Sequence, residues 1–179
     1  MVALPALLAT MLAPSSAATP SDPRYIALVD QSGRAFRLID LSGRPTAVTF
    51  VAARCTDACP IANALFARAS KRLRADHVKT RLVTITLDPA HDTPAVMARL
   101  ARSFGADRDA WRFASGVPAD VYRLMRSFGV VEEIDAHGIP EEHTSFVYLL
   151  DRDVRLKRTI PLSTALTLDI ETTFPGRRS

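Results

Sequence analysis

A strand and a helix meet at the chain's only two cysteines, and this junction constrains the fold more than any other feature. Residues 46–52 are apolar and β-branched, which is typical of a buried strand. Pro60 suits the first turn of a helix, because a proline lacks an N–H that the helix would leave unpaired there. Apolar residues then recur every four positions among arginines and lysines, which predicts an amphipathic helix with this buried face: Ile61, Leu65, Ala69 and Leu73. Cys55 and Cys59 are therefore expected at the carboxyl end of a central strand, where open α/β sheets commonly hold their functional sites.

Cys55 and Cys59 are four residues apart across the predicted start of this helix, so their sulfur atoms are expected on the same side. The unpaired N–H groups and the positive end of the helix dipole favour a thiolate there, and Arg54 adds a neighbouring cation. A disulfide is also possible, since Cα atoms one helical turn apart are separated by about 6 Å. The pair can therefore exist as a dithiol, a disulfide or a metal dithiolate. A buried, inert pair is the alternative, and the neighbouring helix start and arginine disfavour it.

Length and charge limit the classes of protein to consider. The 179 residues suit one domain with a full core, and 47% apolar with 23% charged residues is ordinary for a globular protein. The net charge is only +4, and the arginines are mostly scattered, which gives nucleic-acid binding little support. A mild positive charge instead fits docking to an acidic partner, or peripheral association with anionic lipid.

The amino-terminal residues predict export. Residues 1–18 are uncharged, largely apolar and end in small residues, which is typical of a secretory signal peptide, although no positive charge precedes the apolar run. The run is short and interrupted by proline, which disfavours a membrane span. We expect a tether at residues 19–24, a folded domain at 25–173 and a basic tail at 174–179. Export would place the cysteines in the periplasm or on the outer side of a membrane, where they form a disulfide unless a reductant or a metal holds them.

The rest of the chain alternates between strand and helix patterns. Strands are predicted in a hairpin at 25–38, then at 81–87, 111–114, 145–150 and 154–158. Helices are predicted from a Thr93 cap and Pro94 to Gly105, at 121–128 and, from a weaker pattern, at 164–172. A polar loop is expected at 130–142. This order predicts an α/β fold, a thioredoxin-like sandwich with a central mixed sheet flanked by helices and an N-terminal β-hairpin.

Four features occur together between residues 25 and 157. They are the CxxxCP motif of residues 55–60, the sequence LDPAHDTP at 87–94, the stretch WRFASG at 111–116, and His143 just before YLLD at 148–151. Together they resemble the Sco/SenC family of copper-handling proteins with a thioredoxin fold. The resemblance implies that Cys55, Cys59 and His143 bind copper, as Cu(I) or Cu(II), and that the protein is a metallochaperone.

The same resemblance implies a biological function and partner proteins. Copper would be delivered to the dicopper centre of a respiratory cytochrome oxidase, or that centre would be maintained. The expected partners are the oxidase subunit that holds the copper centre and a copper donor or a thiol-reductant protein. The residue chemistry agrees, because two thiolates and one imidazole suit Cu(I) and hold Cu(II) once an oxygen ligand is added.

Two enzymatic functions compete with the chaperone. In a thiol–disulfide oxidoreductase, Cys55 or Cys59 would attack a partner disulfide and the other cysteine would resolve the mixed disulfide. The three-residue spacer weakens this interpretation, since dedicated redox thioredoxins commonly have two. A peroxidase is disfavoured, because thioredoxin-fold peroxidases place a threonine three residues before the reactive cysteine, where this chain has Ala52.

Other polar residues receive structural roles. Asp57 is expected to cap the first helix or to lie in the outer shell of the metal. Asp88 and Asp92 are expected to shape the loop near the site. The remaining histidines are expected to be solvated: His77, His91 and His137. Three large residues are assigned to the core: Met97, Trp111 and Met125.

Overall fold

The computed structural model describes residues 22–56, 58–130, 133–134, 140–142 and 146–175. The strands in chain order are β1 Ala27–Asp30, β2 Ala35–Arg37, β3 Thr46–Val51, β4 Arg81–Thr86, β5 Trp111–Ser115, β6 Glu133–Ile134, β7 Pro140–Glu142, β8 Phe146–Leu150 and β9 Leu156–Pro161. Seven of them form one sheet in the order β2-β1-β5-β4-β3-β8-β9. The central strands β3, β4 and β5 are parallel, whereas β1 and β8 join them antiparallel. The sheet is therefore mixed, and its amino-terminal hairpin is β1–β2.

Helices cover both faces of this sheet. They are α1 Ala58–Ala75, α2 Pro94–Ser103, α3 Pro118–Ser127 and α4 Leu166–Thr173. One cluster of buried side chains joins α3 to the sheet, and a second cluster joins α1, α2 and α4 to the opposite face. This arrangement confirms the predicted α/β, thioredoxin-like sandwich.

The buried face of α1 differs from the sequence prediction. Ile61 is 60% exposed, and Leu65 is only half-buried. The residues that pack on the sheet are Ala62, Phe66, Ala69 and Leu73. The prediction was wrong in its first two positions because a spacing of four drifts around a helix of 3.6 residues per turn. The amino-terminal end of α1 thus exposes an isoleucine close in sequence to the cysteines.

The hairpin between β8 and β9 also differs from expectation. Val154, predicted to begin a strand, lies in the turn with a φ of 59°, a conformation that is strained for a β-branched residue. The carboxylate of Asp151 organises this turn by accepting hydrogen bonds from the N–H groups of Asp153 and Arg155. The Val154 side chain is 2% exposed, so its burial in the core offsets the strain.

Other predicted details are confirmed. Thr93 caps α2 through its hydroxyl, Pro94 begins the helix, and Gly105 follows it with a φ of 65°. Trp111, Met97 and Met125 are buried in the core. Within the predicted polar loop at 130–142, the structure has the short antiparallel pair β6–β7, which the irregular sequence pattern did not indicate.

The boundaries predicted for the ends of the chain stay predictions. Residues 1–21, including the predicted signal peptide, and residues 176–179 of the basic tail lie outside the described residues. Among the helices that are described, none combines the length and the apolar character needed to cross a membrane.

Candidate functional site

Cys55 and Cys59 meet at the carboxyl end of β3, as predicted, and no disulfide joins them. The backbone N–H of Cys59, in the first turn of α1, donates a hydrogen bond to the Cys55 Sγ at 3.3 Å. The Cys59 Sγ in turn accepts one from the N–H of Ala52 at 3.4 Å. Each sulfur atom therefore has a backbone donor that would stabilise a thiolate or a metal-bound sulfur.

The two thiols have different surroundings. Cys55 is half-buried, whereas Cys59 is 3% exposed and packs with Val51 and Ala62. Burial raises the pKa of the Cys59 thiol strongly, the hydrogen bond with Cys55 adds to this, and the N–H of Ala52 opposes it. Without a metal, Cys59 is thus a protonated thiol at neutral pH.

Three consecutive residues before Cys55 are each held by a different contact. The Ala52 N–H binds the Cys59 sulfur, and the Ala53 N–H donates to the Asp92 Oδ2 at 2.9 Å. The guanidinium of Arg54 lies 2.7 Å from the Asp88 Oδ2. The turn that carries Cys55 is therefore fixed by backbone and side-chain contacts.

Asp92 is the central member of this network. Its side chain is 1% exposed, and its Oδ2 also accepts a hydrogen bond from the Thr86 hydroxyl at 2.7 Å. The Thr86 Oγ1 accepts one from the N–H of Asp88. Burial raises the pKa of the Asp92 carboxyl, and the hydrogen bonds from Ala53 and Thr86 oppose this only in part. Sequence reasoning had assigned Asp92 a role in the loop alone and missed its direct bond to the cysteine turn.

Asp88 holds a second, more exposed cluster beside the site. Its Oδ1 lies 2.7 Å from the Nδ1 of His91, and its Oδ2 binds Arg54. Burial would raise the pKa of the Asp88 carboxyl, but the hydrogen bonds from His91 and Arg54 lower it below its ordinary value. Asp88 is thus an ionised partner of Arg54. His91 was expected to be merely solvated, and instead it contacts both residues while remaining 58% exposed.

Asn63, one helical turn after Cys59, was not singled out from the sequence. Its side chain is 1% exposed, and its Oδ1 has no hydrogen-bond partner among the described residues. A buried asparagine in the first half of an otherwise apolar helix face is the signal that could have identified it.

His143, the predicted third copper ligand, lies outside the described residues, as do Asp57 and His137. Within the part of the chain that is described, no group of three or more His, Cys, Asp or Glu residues could hold a metal ion. The described portion of the site is thus the dithiol and its supporting network.

The sequence model of the SCO1/SenC family matches residues 16–171. A curated protein from Bacillus subtilis, described as a SCO1 protein homolog, is 26% identical over 126 residues, or 69% of this chain and 65% of that protein. The chain thus spans less than two thirds of the length of the curated relatives that it matches.

Solved structures agree with the observed fold. The structure of Bradyrhizobium japonicum ScoI with copper bound has a TM-score of 0.71 and 27% identity, and the match covers 83% of this chain and 97% of that one. A second structure, described as showing a disulfide switch in BsSco, a member of the Sco family of cytochrome c oxidase assembly proteins, has a TM-score of 0.71 and 21% identity. That match covers 82% of this chain and 90% of the other. At 21% identity the second likeness concerns the fold alone.

Proposed function

Because the chain belongs to the SCO1/SenC family, we propose that it is a metallochaperone that binds copper through Cys55, Cys59 and His143. The copper is delivered to the dicopper site of a respiratory cytochrome oxidase, or serves to maintain that site. The observation that carries the proposal is the reduced sulfur pair, in which the Cys59 N–H donates to the Cys55 Sγ at 3.3 Å.

The donor set fits this cargo. Thiolates are soft ligands that favour Cu(I), and an imidazole is compatible with either oxidation state of copper. Cys59 must lose its proton on binding, and its raised pKa makes copper uptake release a proton at neutral pH. The copper-bound ScoI structure, which is 27% identical, supports the same cargo for this chain.

The proposal also covers the cellular location of the protein and its binding partners. We expect an exported protein that works in the periplasm or on the outer side of a membrane, where its partners are the oxidase subunit with the copper centre and a copper donor or a thiol reductant. The apolar residues 1–18 support export. BsSco is described as a member of the Sco family of cytochrome c oxidase assembly proteins, and membership of the same family, rather than the likeness in fold, supports the target.

An anaerobic Cu(I) titration of the reduced protein, competed against a chromogenic chelator, tests the copper site. One tightly held copper per chain is expected, with loss of binding in Cys55→Ser and in Cys59→Ser. His143→Ala should weaken binding strongly, because a two-coordinate dithiolate would remain.

His77→Asn is the matched control for the histidine variant. His77 is exposed and has a φ of 56°, a backbone conformation that asparagine tolerates. It should bind copper like the unaltered protein. Failure of the reduced protein to compete with the chelator, or equal affinities in His143→Ala and His77→Asn, would contradict the proposed site.

The asymmetry of the two thiols favours a second candidate function, a thiol–disulfide oxidoreductase that reduces partner cysteines. In it, the more exposed Cys55 attacks a partner disulfide as a thiolate, forms a mixed disulfide and releases one partner thiol. Cys59 then loses its proton, attacks the Cys55 Sγ and releases the second partner thiol, leaving a Cys55–Cys59 disulfide. The two activities are compatible, since copper binds only to the reduced pair.

His143→Ala separates the two functions. A chaperone loses copper affinity in this variant and keeps dithiol–disulfide exchange, which is measured as the rate of reduction of a peptide disulfide and as the reduction potential of the pair. If exchange falls while copper affinity is unchanged, the chaperone proposal is wrong and the oxidoreductase is favoured.

A further inference from the structure

Three arginines lie close together at the end of the sheet opposite to the cysteines. Arg81 begins β4, where it is in register with Thr46 of β3, and Arg44 precedes β3 by two residues. Arg112 of β5 is in register with Val83, two residues after Arg81, so Arg81 and Arg112 are diagonal neighbours on the same face of the sheet.

Local contacts hold two of these side chains in place. The Arg81 Nη1 donates a hydrogen bond to the carbonyl oxygen of Leu41 at 2.6 Å. The Arg112 guanidinium carbon lies 5.0 Å from the centre of the Phe36 ring, and its Nε is buried without a hydrogen-bond partner among the described residues. Arg81 and Arg112 are half-buried residues, whereas Arg44 is exposed.

The carboxylates near this cluster are bound to other arginines. Asp30 is bound by Arg108 at 2.7 Å, and Asp40 is bound by Arg37 at 2.8 Å. Asp109, whose side chain is 90% exposed, lies 4.0 Å from Arg108. Among the described residues, no carboxylate forms an ion pair with any member of the cluster: Arg44, Arg81 and Arg112.

No described carboxylate is in direct contact with the cluster, and the nearby Asp30 and Asp40 are each bound by another arginine, so the cluster carries excess positive charge in a partly desolvated place. Burial lowers the pKa of Arg81, and the positive charges of Arg44 and Arg112 lower it further. Burial also lowers the pKa of Arg112, Arg108 adds to this, and the more distant charges of Asp30, Asp109 and Asp40 oppose it. Neighbouring cations repel one another, and an anion bound between them would reduce that repulsion.

We propose that Arg44, Arg81 and Arg112 form a binding site for a phosphate-bearing anion. Guanidinium groups suit this ligand because each offers a planar fork of N–H donors that matches two oxygens of a phosphate. No described residue accepts a hydrogen bond from the Arg112 side chain, so its guanidinium keeps donors that such an oxygen would satisfy. The phosphate can be free in solution or part of a lipid headgroup.

The position of the arginine cluster determines how a lipid-bound protein would orient its cysteines. Strand β3 separates the cluster from the cysteine turn by six residues, a length of about 20 Å. Binding to a lipid phosphate through the arginines would point the cysteine end of the sheet away from the membrane, towards a partner.

Titration with inorganic phosphate, followed through the backbone amide NMR signals of residues 44, 81 and 112, tests the site. Chloride is varied to keep the ionic strength constant, since screening alone changes the signals of charged surfaces. Saturable shifts are expected at these residues. The double variant Arg44→Gln/Arg81→Gln should weaken binding by about tenfold or more, as expected for the loss of two charge-assisted contacts.

Arg99→Gln/Arg102→Gln is the charge-matched control, because both residues are exposed on α2. It should keep the affinity for phosphate. Arg44→Gln alone removes only an exposed side chain, so it keeps the test valid if the double variant does not fold. Absence of saturable shifts, or equal weakening in the control, would overturn the proposal.

Sedimentation with vesicles distinguishes the two sources of phosphate. A lipid source predicts that the protein binds phosphatidylglycerol vesicles more than phosphatidylcholine vesicles, and that Arg44→Gln/Arg81→Gln loses this difference while the control keeps it. Saturable phosphate binding without this vesicle preference supports the site with a small soluble anion as its ligand.

Discussion

The carboxylate of Asp92 accepts a hydrogen bond from the backbone N–H of Ala53 at 2.9 Å, which ties the loop after β4 to the turn that carries Cys55. The same Oδ2 accepts from the Thr86 hydroxyl at the end of β4. Because β3 and β4 are adjacent and parallel, these bonds fix the cysteine turn to the sheet. The position of Cys55 thus depends on a residue 37 positions away.

Replacing Asp92 by alanine should loosen this turn. The substitution leaves the Ala53 N–H and the Thr86 hydroxyl without their acceptor, which is expected to lower the free energy of unfolding by about 1–3 kcal/mol. We expect weaker Cu(I) binding as well, because Cys55 is no longer held beside Cys59. Urea unfolding and the chelator competition measure the two effects.

Asp109→Ala is the control for this substitution, since the Asp109 side chain is 90% exposed and its nearest cation is 4.0 Å away. It should change neither stability nor copper affinity measurably. If Asp92→Ala behaved like Asp109→Ala in both measurements, the network would not position the cysteines.

The two thiols should react with an alkylating agent at different rates. Reactivity follows thiolate content and access, and Cys59 is 3% exposed with a raised pKa, whereas Cys55 is half-buried. Under anaerobic conditions at neutral pH, iodoacetamide should modify Cys55 first, as located by peptide mass spectrometry. Cys59→Ser should retain the fast reaction and Cys55→Ser should lose it; comparable rates in the two variants would exclude the proposed order of attack.

Acid should remove the stabilisation contributed by Asp30. Burial alone would raise the pKa of this carboxyl, but hydrogen bonds from Ser32 and Arg108 hold it at about 2, below its ordinary value of 3.8. The folded state therefore binds its proton less readily than the unfolded state does. The stabilisation, about 2 kcal/mol, is complete above the pKa of the unfolded chain and is lost as the pH falls through the folded pKa.

Urea unfolding of the unaltered protein and of Asp30→Asn between pH 7 and pH 3 measures this effect. The stability difference between them should be largest at neutral pH and shrink below pH 4. Asp109→Asn serves as an exposed control without such a trend. A difference that stayed constant over the whole range would mean that ionisation of Asp30 does not contribute.

The buried hydrogen bond between Trp111 Nε1 and Thr84 Oγ1, at 2.9 Å, should be detectable by a double-mutant cycle. Trp111→Phe leaves the Thr84 hydroxyl unpaired in the core, and Thr84→Val leaves the indole N–H unpaired. The double variant should be less destabilised than the sum of the single ones by about 1–2 kcal/mol, because it removes both polar groups. Additive free energies of unfolding would show that this bond contributes nothing.

The orientation of α1 predicts that truncating two of its apolar residues will change the stability of the protein by very different amounts. Ile61→Ala should change the free energy of unfolding by less than about 0.5 kcal/mol, because the side chain is 60% exposed. Phe66→Ala should cost about 3–5 kcal/mol, because Phe66 is fully buried. Similar losses in the two variants would contradict the observed buried face.

The sequence by itself determined the fold class and the position of the two cysteines at the end of a central strand. Apolar β-branched runs with helices between them predict a mixed sheet flanked by helices, and the CxxxCP motif follows the strand that ends at Val51. These features are local, since they follow from side-chain patterning and from the proline at a helix start. The cysteine pair was therefore found before any contact was known.

Tertiary structure alone decided which groups surround that pair. No pattern near Cys55 indicates that Asp92 accepts from Ala53, or that Arg54 is bound to Asp88, because these partners are more than 30 residues apart in sequence. The exposed position of Ile61 likewise depends on how α1 is rotated against the sheet, which packing decides. The arginine cluster forms because parallel strands bring their starting residues together, whatever their separation along the chain.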